Sequence, residues 1–193
     1  MYKLFLLILS VAILSLSFDG SPVRVGETVP DFQAIDDKGN PWNLYDHLRS
    51  DYLVVYFYPA AFTGGCTAQA CNYRDHMSEL ALLNVSVVGI SGDEPQNLGM
   101  FKKEHNLNFT LLSDQDGEIA KLFGVPVREG GTIEREIDGK TLQLSRGITT
   151  SRWTYVIDIN RKLIYKNNNV DAANDSQTVY EFIQTHNLRK SCR

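Results

Sequence analysis

Between residues 51 and 58 the chain reads Asp51-Tyr52-Leu53-Val54-Val55-Tyr56-Phe57-Tyr58, with hardly a polar interruption. So short a run, rich in β-branched and aromatic residues, predicts a strand buried on both faces. Pro59 ends it. Residues 67–83 then carry apolar positions near helical spacing, and 85–90 form a second buried strand that turns at Ser91-Gly92-Asp93. A helix over 94–105 and a strand over 109–112 follow, the latter closed by Ser113-Asp114. A short helix over 117–123 is stopped by Gly124 and Pro126, which favour termination. Residues 152–157 and 162–166 form a hairpin around Asp158-Ile159-Asn160-Arg161, and 176–186 form a last helix. Strands alternating with helices imply an α/β sandwich around a largely parallel central sheet. Residues 128–147, glycine-rich and of mixed charge, read as an irregular surface excursion. No linker or repeat appears from residue 26 onward, so 21–193 is expected to be a single domain.

Composition narrows the classes. The chain has 193 residues, 43% hydrophobic and 22% charged, which excludes a collagen-like or wholly disordered protein. Its 19 basic against 23 acidic residues leave a net charge of −4. That balance offers nothing to a nucleic acid. Three cysteines are too few for a disulfide-built scaffold.

The N-terminus has its own pattern. Lys3 precedes an apolar run over 4–17, interrupted only by serines, and then Phe18-Asp19-Gly20-Ser21-Pro22. This order matches a secretory signal peptide over residues 1–20, with Ser15 and Ser17 available as the small positions before a cut. The run falls short of the ~20 residues of a bilayer span, and an uncleaved membrane anchor is the alternative. Export would place the protein outside the cell, in a periplasm or in an organelle lumen, where conditions are more oxidising. In a eukaryotic host, Asn84-Val85-Ser86, Asn108-Phe109-Thr110 and Asn174-Asp175-Ser176 would be glycosylation sequons.

The stretch with the most chemistry is Pro59-Ala60-Ala61-Phe62-Thr63-Gly64-Gly65-Cys66-Thr67-Ala68-Gln69-Ala70-Cys71. It joins the buried strand to the start of a helix. A helix N-terminus presents unpaired N–H groups and partial positive charge, which stabilise a thiolate. Gly64 and Gly65 let the backbone approach a small oxygen ligand closely. Thr63 adds a hydroxyl three residues before Cys66.

Cys71 lies five residues beyond Cys66. In a regular helix the two would be ~140° apart around the axis and ~8.7 Å apart at Cα. A disulfide needs roughly 4.4–6.8 Å. Either the pair never bonds, or the helix start unwinds to let it bond.

Phe57-Tyr58-Pro59 through Thr63 to Cys66 resembles the P-x-x-x-T/S-x-x-C site of peroxiredoxins. Cys66-Thr67-x-Gln69-Ala70-Cys71-x-x-Arg74-Asp75 is similar to their Q-type, or bacterioferritin-comigratory, subfamily. The likeness runs from Gly26-Glu27-x-x-Pro30-Asp31-Phe32 through Gly89-Ile90-Ser91-x-Asp93 and Asn108 to Asp114, and on to Arg152-x-Thr154-x-x-Ile157-Asp158. It implies a thioredoxin-like fold, with a central mixed sheet flanked by helices. It also implies a thiol-specific peroxidase acting on hydrogen peroxide and organic hydroperoxides. Cys66 would be the peroxidatic nucleophile, Thr63 a hydrogen-bonding partner of the peroxide, Arg152 the fixed cation and Pro59 the shield of the site. Cys71 would resolve the sulfenic acid as an intramolecular disulfide, recycled by a thioredoxin-like dithiol. The resemblance implies a monomer, with a weak dimer as the alternative, and no metal or other cofactor. Gly64 departs from the pattern, because many family members have proline there. The 128–147 segment also looks longer than in compact members.

Other readings compete. A non-catalytic thioredoxin-like binding module would hold a static Cys66–Cys71 disulfide. A thiol–disulfide oxidoreductase lacks its C-x-x-C here. Cys66, Cys71 and His76 are evenly spaced, but steps of five scatter ligands around a helix, so metal binding is not expected. Cys192, in the polar tail, reads as an incidental thiol, with an intermolecular disulfide as the alternative.

Overall fold

The computed structural model describes residues 20–191 apart from Asp138. The expected signal segment therefore lies outside the described residues, save Gly20, and so does Cys192. The elements in chain order are β1 (Gln33–Asp36), β2 (Pro41–Asn43), α1 (Leu44–His47), β3 (Tyr52–Phe57), α2 (Gly64–Leu82), β4 (Val85–Ser91) and α3 (Pro95–Glu104). They continue with β5 (Thr110–Ser113), α4 (Glu118–Phe123), β6 (Val127–Ile137), β7 (Lys140–Thr150), β8 (Trp153–Asp158), β9 (Leu163–Asn167) and α5 (Asp175–Ser191). Among the described residues no helix is long and apolar enough to cross a membrane.

Strand β3 is buried at every position because both faces of the sheet are covered. Its side chains alternate between two cores, as the two-residue period of a strand requires. Leu53, Val55 and Phe57 join Val88, Ile90, Tyr155 and the α4 residues Ile119 and Phe123 on one face. Tyr52, Val54 and Tyr56 join Val87, the α2 residues Ala70 and Tyr73, Leu98 and Phe101 of α3, and Val179 and Ile183 of α5 on the other. One continuous apolar run thus serves two hydrophobic layers.

The main sheet has seven strands in the order β2-β1-β5-β4-β3-β8-β9. Only β3–β4 and β4–β5 run parallel among the described strands, while β1–β2, β1–β5, β3–β8 and β8–β9 are antiparallel. The sheet is mixed, which corrects the largely parallel one expected from strand–helix alternation. The reason lies at its edges. β8 enters the sheet after α4 and the separate β6–β7 ribbon, and it runs antiparallel to β3. β1, β2 and α1 have no counterpart among the predicted elements, because they are short and mostly half-exposed.

The 128–147 segment is not irregular. It forms most of a two-stranded antiparallel sheet, β6 against β7, paired from Val127↔Thr150 to Ile137↔Lys140 at the tip. β6 is largely exposed, so no apolar alternation marks it as a strand. The ribbon is attached to the body through Gly147 N–H donating to the Gly92 carbonyl at 2.9 Å. Helix α2 begins at Gly64, three residues earlier than the spacing predicts, and α5 runs on to Ser191. Two glycines weaken helix propensity at the start of α2, and tertiary contacts override it.

Candidate active site

Cys66 is placed by the junction of β3 and α2. Tyr58 N–H donates to the Ile90 carbonyl at 3.0 Å, which carries the chain one residue past β3 before Pro59 turns it away. Three groups then hold the loop. Ala61 N–H donates to Asp93 Oδ2 at 2.8 Å, Thr63 Oγ1–H donates to the Ala60 carbonyl at 2.9 Å, and Thr150 Oγ1–H donates to the Tyr58 carbonyl at 2.8 Å. Phe62 takes a left-handed φ of 59° and packs its ring on Phe101, with 5.1 Å between centroids. The β6–β7 ribbon reaches this loop, where Arg135 Nε donates to the Phe62 carbonyl at 3.1 Å.

Thr63 is the N-cap residue of α2 and makes no side-chain cap bond. Its hydroxyl faces the loop instead, and its carbonyl accepts from Thr67 N–H at 2.8 Å. Cys66 sits in the first turn, where unpaired N–H groups and the helix dipole favour negative charge. It is 2% exposed.

Arg152 comes from the chain entering β8, the strand beside β3. β8 pairs antiparallel with β3 so that Trp153 stands opposite Phe57. The residue before Trp153 therefore meets the loop after Phe57. Arg152 Nη2 donates to Cys66 Sγ at 3.3 Å. Gly65 makes this approach feasible, because a Cβ there would stand 3.3 Å from Arg152 Nη2. A Cβ at Gly64 would meet only open space.

Of the expected residues, Cys66 and Arg152 meet at 3.3 Å, and Pro59 and Thr63 lie in the loop that leads from β3 into the helix of Cys66. Cys71 stands apart. Both cysteines are free thiols in the unbroken helix α2, with Cys71 half-buried about one and a half turns further on. His76 is engaged elsewhere, with Nδ1 at 2.5 Å from Ser176 Oγ. Among the described residues no group of three or more His, Cys, Asp or Glu side chains could hold a metal ion.

Sequence reasoning missed a second layer. Arg152 Nη1 donates to Gln69 Oε1 at 2.5 Å, and Gln69 Nε2 donates to Asp175 Oδ2 at 2.8 Å. The same oxygen accepts from Tyr73 OH at 2.8 Å and Thr154 Oγ1 at 2.7 Å. Burial pushes the Asp175 carboxyl above its ordinary range, against the pull of these three donors and of Arg152. Asp93, under the loop, is raised for the same reason, against the pull of Ala61 and Ser91. Gln69 had a legible signal, since it lies three residues after Cys66 on one helix. Asp175, at the start of α5, had none. Two surface clefts lie away from this site, one against Phe32 and Leu122 and one against Trp42 and Asp114.

The fold and site define a thioredoxin-like α/β protein with an arginine-paired cysteine at a helix N-terminus. The AhpC/TSA family model matches residues 25–166. Peroxiredoxin Bcp of Escherichia coli strain K12 is 37% identical over 166 residues, spanning 86% of this chain and 99% of that protein. A Haemophilus influenzae protein described as a putative peroxiredoxin bcp is 45% identical over 105 residues, covering 54% of this chain and 67% of its own. The crystal structure of peroxidoxin BcpB from Mycobacterium tuberculosis superposes with a TM-score of 0.69 at 32% identity, covering 83% of this chain and 96% of that one. A PrxQ structure from Xylella fastidiosa, at 21% identity and a TM-score of 0.71, covers 86% and 99% and supports the fold. The chain belongs to the AhpC/TSA family, among its Q-type peroxiredoxins. It is a thiol peroxidase, an oxidoreductase.

Proposed function

We propose that the protein reduces hydrogen peroxide and small organic hydroperoxides through Cys66, with Cys71 as the resolving thiol and a thioredoxin-like dithiol as reductant. The observation that carries this reading is the Arg152 guanidinium 3.3 Å from Cys66 Sγ, at the N-terminus of α2. A fixed cation and helix N–H groups stabilise a thiolate, and they also stabilise charge developing on a peroxide oxygen.

The thiolate attacks the terminal peroxide oxygen. An S–O bond forms, the O–O bond breaks, and the alkoxide or hydroxide leaves and takes up a proton. Sulfur is oxidised by two electrons and the peroxide is reduced by two. Thr63 orients the peroxide and Pro59 walls off water from the thiolate. Cys71, as thiolate, then attacks the sulfenic sulfur. An S–S bond forms, the S–O bond breaks, and the oxygen leaves as hydroxide, which takes up a proton to become water. An external dithiol reduces the disulfide and returns both thiols.

In the unbroken helix the cysteines lie ~8.7 Å apart at Cα, so resolution requires the start of α2 to unwind. The same geometry speaks against a module with a static Cys66–Cys71 disulfide. The protein acts as a monomer and is exported by residues 1–20. Support for export is the Lys3 start and the apolar run alone.

The test is stoichiometric peroxide consumption by the reduced protein. Cys66→Ser should abolish it, and unchanged consumption in that variant overturns the reading. Cys71→Ser should react once and stall as a sulfenic acid, whereas full turnover with a dithiol would refute its resolving role. Mass spectrometry of the protein from its host reads the mature N-terminus. An intact residue 1–20 segment would refute cleavage.

A further inference from the structure

We propose that Asp175 is a positioning residue for the thiolate site, acting through Gln69 and Arg152. The inference rests on Cys66 being the reactive thiol of the function proposed above.

The argument is one of donors and acceptors. A glutamine amide has one end that accepts and one that donates, and the two ends are interchangeable in shape. Gln69 is fully buried, and its amide lies between a guanidinium and a carboxylate. Arg152 can only donate, and an ionised Asp175 can only accept. Only one orientation satisfies both: Nε2 toward Asp175 and Oε1 toward Arg152. The reverse would set NH₂ against guanidinium and carbonyl against carboxylate. Asp175 thereby selects the orientation in which Gln69 holds Arg152 Nη1. The fork of the guanidinium is rigid, so fixing Nη1 also fixes Nη2 at Cys66 Sγ.

Asp175 is built to hold this role. It is 1% exposed, and its Oδ2 gathers three donors from two elements: Gln69 and Tyr73 on α2 and Thr154 on β8. Asp175 itself opens α5, where the helix dipole favours its negative charge. Its other oxygen, Oδ1, is buried with no hydrogen-bond partner in the described structure. A carboxylate held this way is costly to bury. A purely structural position would be served as well by a neutral acceptor. What the charge adds is the exclusion of the wrong amide orientation.

The experiment measures the pH profile of Cys66 alkylation by iodoacetamide, with Cys71→Ser and Cys192→Ser in the background so that one thiol reports. Asn at 175 keeps the shape but offers an NH₂ as well, so it tolerates either orientation of Gln69. Asp175→Asn should therefore move the alkylation midpoint up by about one pH unit. Gln69→Leu should produce a similar shift, and adding Asp175→Asn to it should produce no more. An Asp175→Asn protein with native circular dichroism and an unmoved midpoint overturns the proposal. So does an equal further shift in the Gln69→Leu background, which would mark a general structural effect. If Asp175→Asn does not fold, Gln69→Leu alone decides, and an unmoved midpoint there overturns the relay. Alkylation needs no peroxide, so a protein that failed to consume peroxide would refute the peroxidase reading and leave this result standing.

Discussion

Arg152 reaches Cys66 because Trp153 pairs with Phe57. The β3–β8 register sets the residue before Trp153 against the loop that follows Phe57, and the guanidinium lands 3.3 Å from the sulfur. Residues 86 positions apart are brought into hydrogen-bond contact through a strand pairing.

Removing that cation should cost rate rather than fold. Arg152→Ala is expected to lower the second-order rate constant with hydrogen peroxide by about 10²–10³, the range for deleting one preorganised donor to developing charge. Arg152→Lys should fall between, because an ammonium cannot hold Gln69 and Cys66 together as the planar fork does. Stopped-flow peroxide kinetics would show this, and an Arg152→Ala rate equal to that of the native protein would refute it.

The two glycines should respond in opposite ways. Gly65→Ala puts a methyl 3.3 Å from Arg152 Nη2, so the guanidinium must give way and the peroxide rate should drop severalfold. Gly64 has open space and opens α2, where proline is accepted at the first position. Gly64→Pro should stabilise the folded start of α2 by about 0.4–1 kcal/mol. It should also slow formation of the Cys66–Cys71 disulfide after peroxide is added. Quenched-flow trapping of free thiols separates the two steps, and a faster disulfide step in Gly64→Pro would contradict the need for unwinding.

Asp93 ties the reactive loop to β4. Its Oδ2 accepts from both Ala61 N–H and Ser91 Oγ at 2.8 Å. Asp93→Ala leaves the Ala61 N–H without that acceptor in a buried setting, at a cost of about 1–3 kcal/mol. Hydrogen exchange at Ala61 should accelerate together with the loss of stability by denaturant. Unchanged protection at Ala61 would show that the loop is held by other means.

Stability should depend on pH through Asp114. Burial pushes its carboxyl up to about 6, outweighing the N–H groups of Ile119 and Ala120 that bind it. The folded protein therefore holds this proton more tightly than the unfolded chain, whose aspartates titrate near 4. The resulting stability is present in full below pH ~4 and is lost as pH rises to about 6, then stays level. The two-unit gap sets an upper bound of about 2–3 kcal/mol on this change. Asp93 and Asp175, also raised, act with the same sign. Asp114→Asn should flatten the profile of urea midpoint against pH between 4 and 6, and an unaltered slope would exclude Asp114 as its source.

Much of the fold was legible where the chain is buried. The β3 run, the helices that cover it and the short helix stopped by Gly124 all follow from apolar periodicity, because burial imposes it. The β6–β7 ribbon was not legible, since strands paired mainly with each other and facing solvent need no apolar alternation. The start of α2 was misplaced because its glycines argue against helix locally. Thr63, Gly65 and Cys66 lie in one continuous stretch, so the candidate nucleophile and its loop could be read directly.

The sequence by itself determined the candidate nucleophile Cys66, the glycine-lined turn before it and the five-residue interval to Cys71, since these depend on neighbours along the chain. The family resemblance pointed to Arg152, but only the tertiary structure brought that cation to the sulfur and showed what holds it. Arg152, Gln69 and Asp175 stand on β8's approach, α2 and α5, and they meet through strand register and helix packing. A hydrogen bond depends on distance in space, and separation along the chain does not encode that distance.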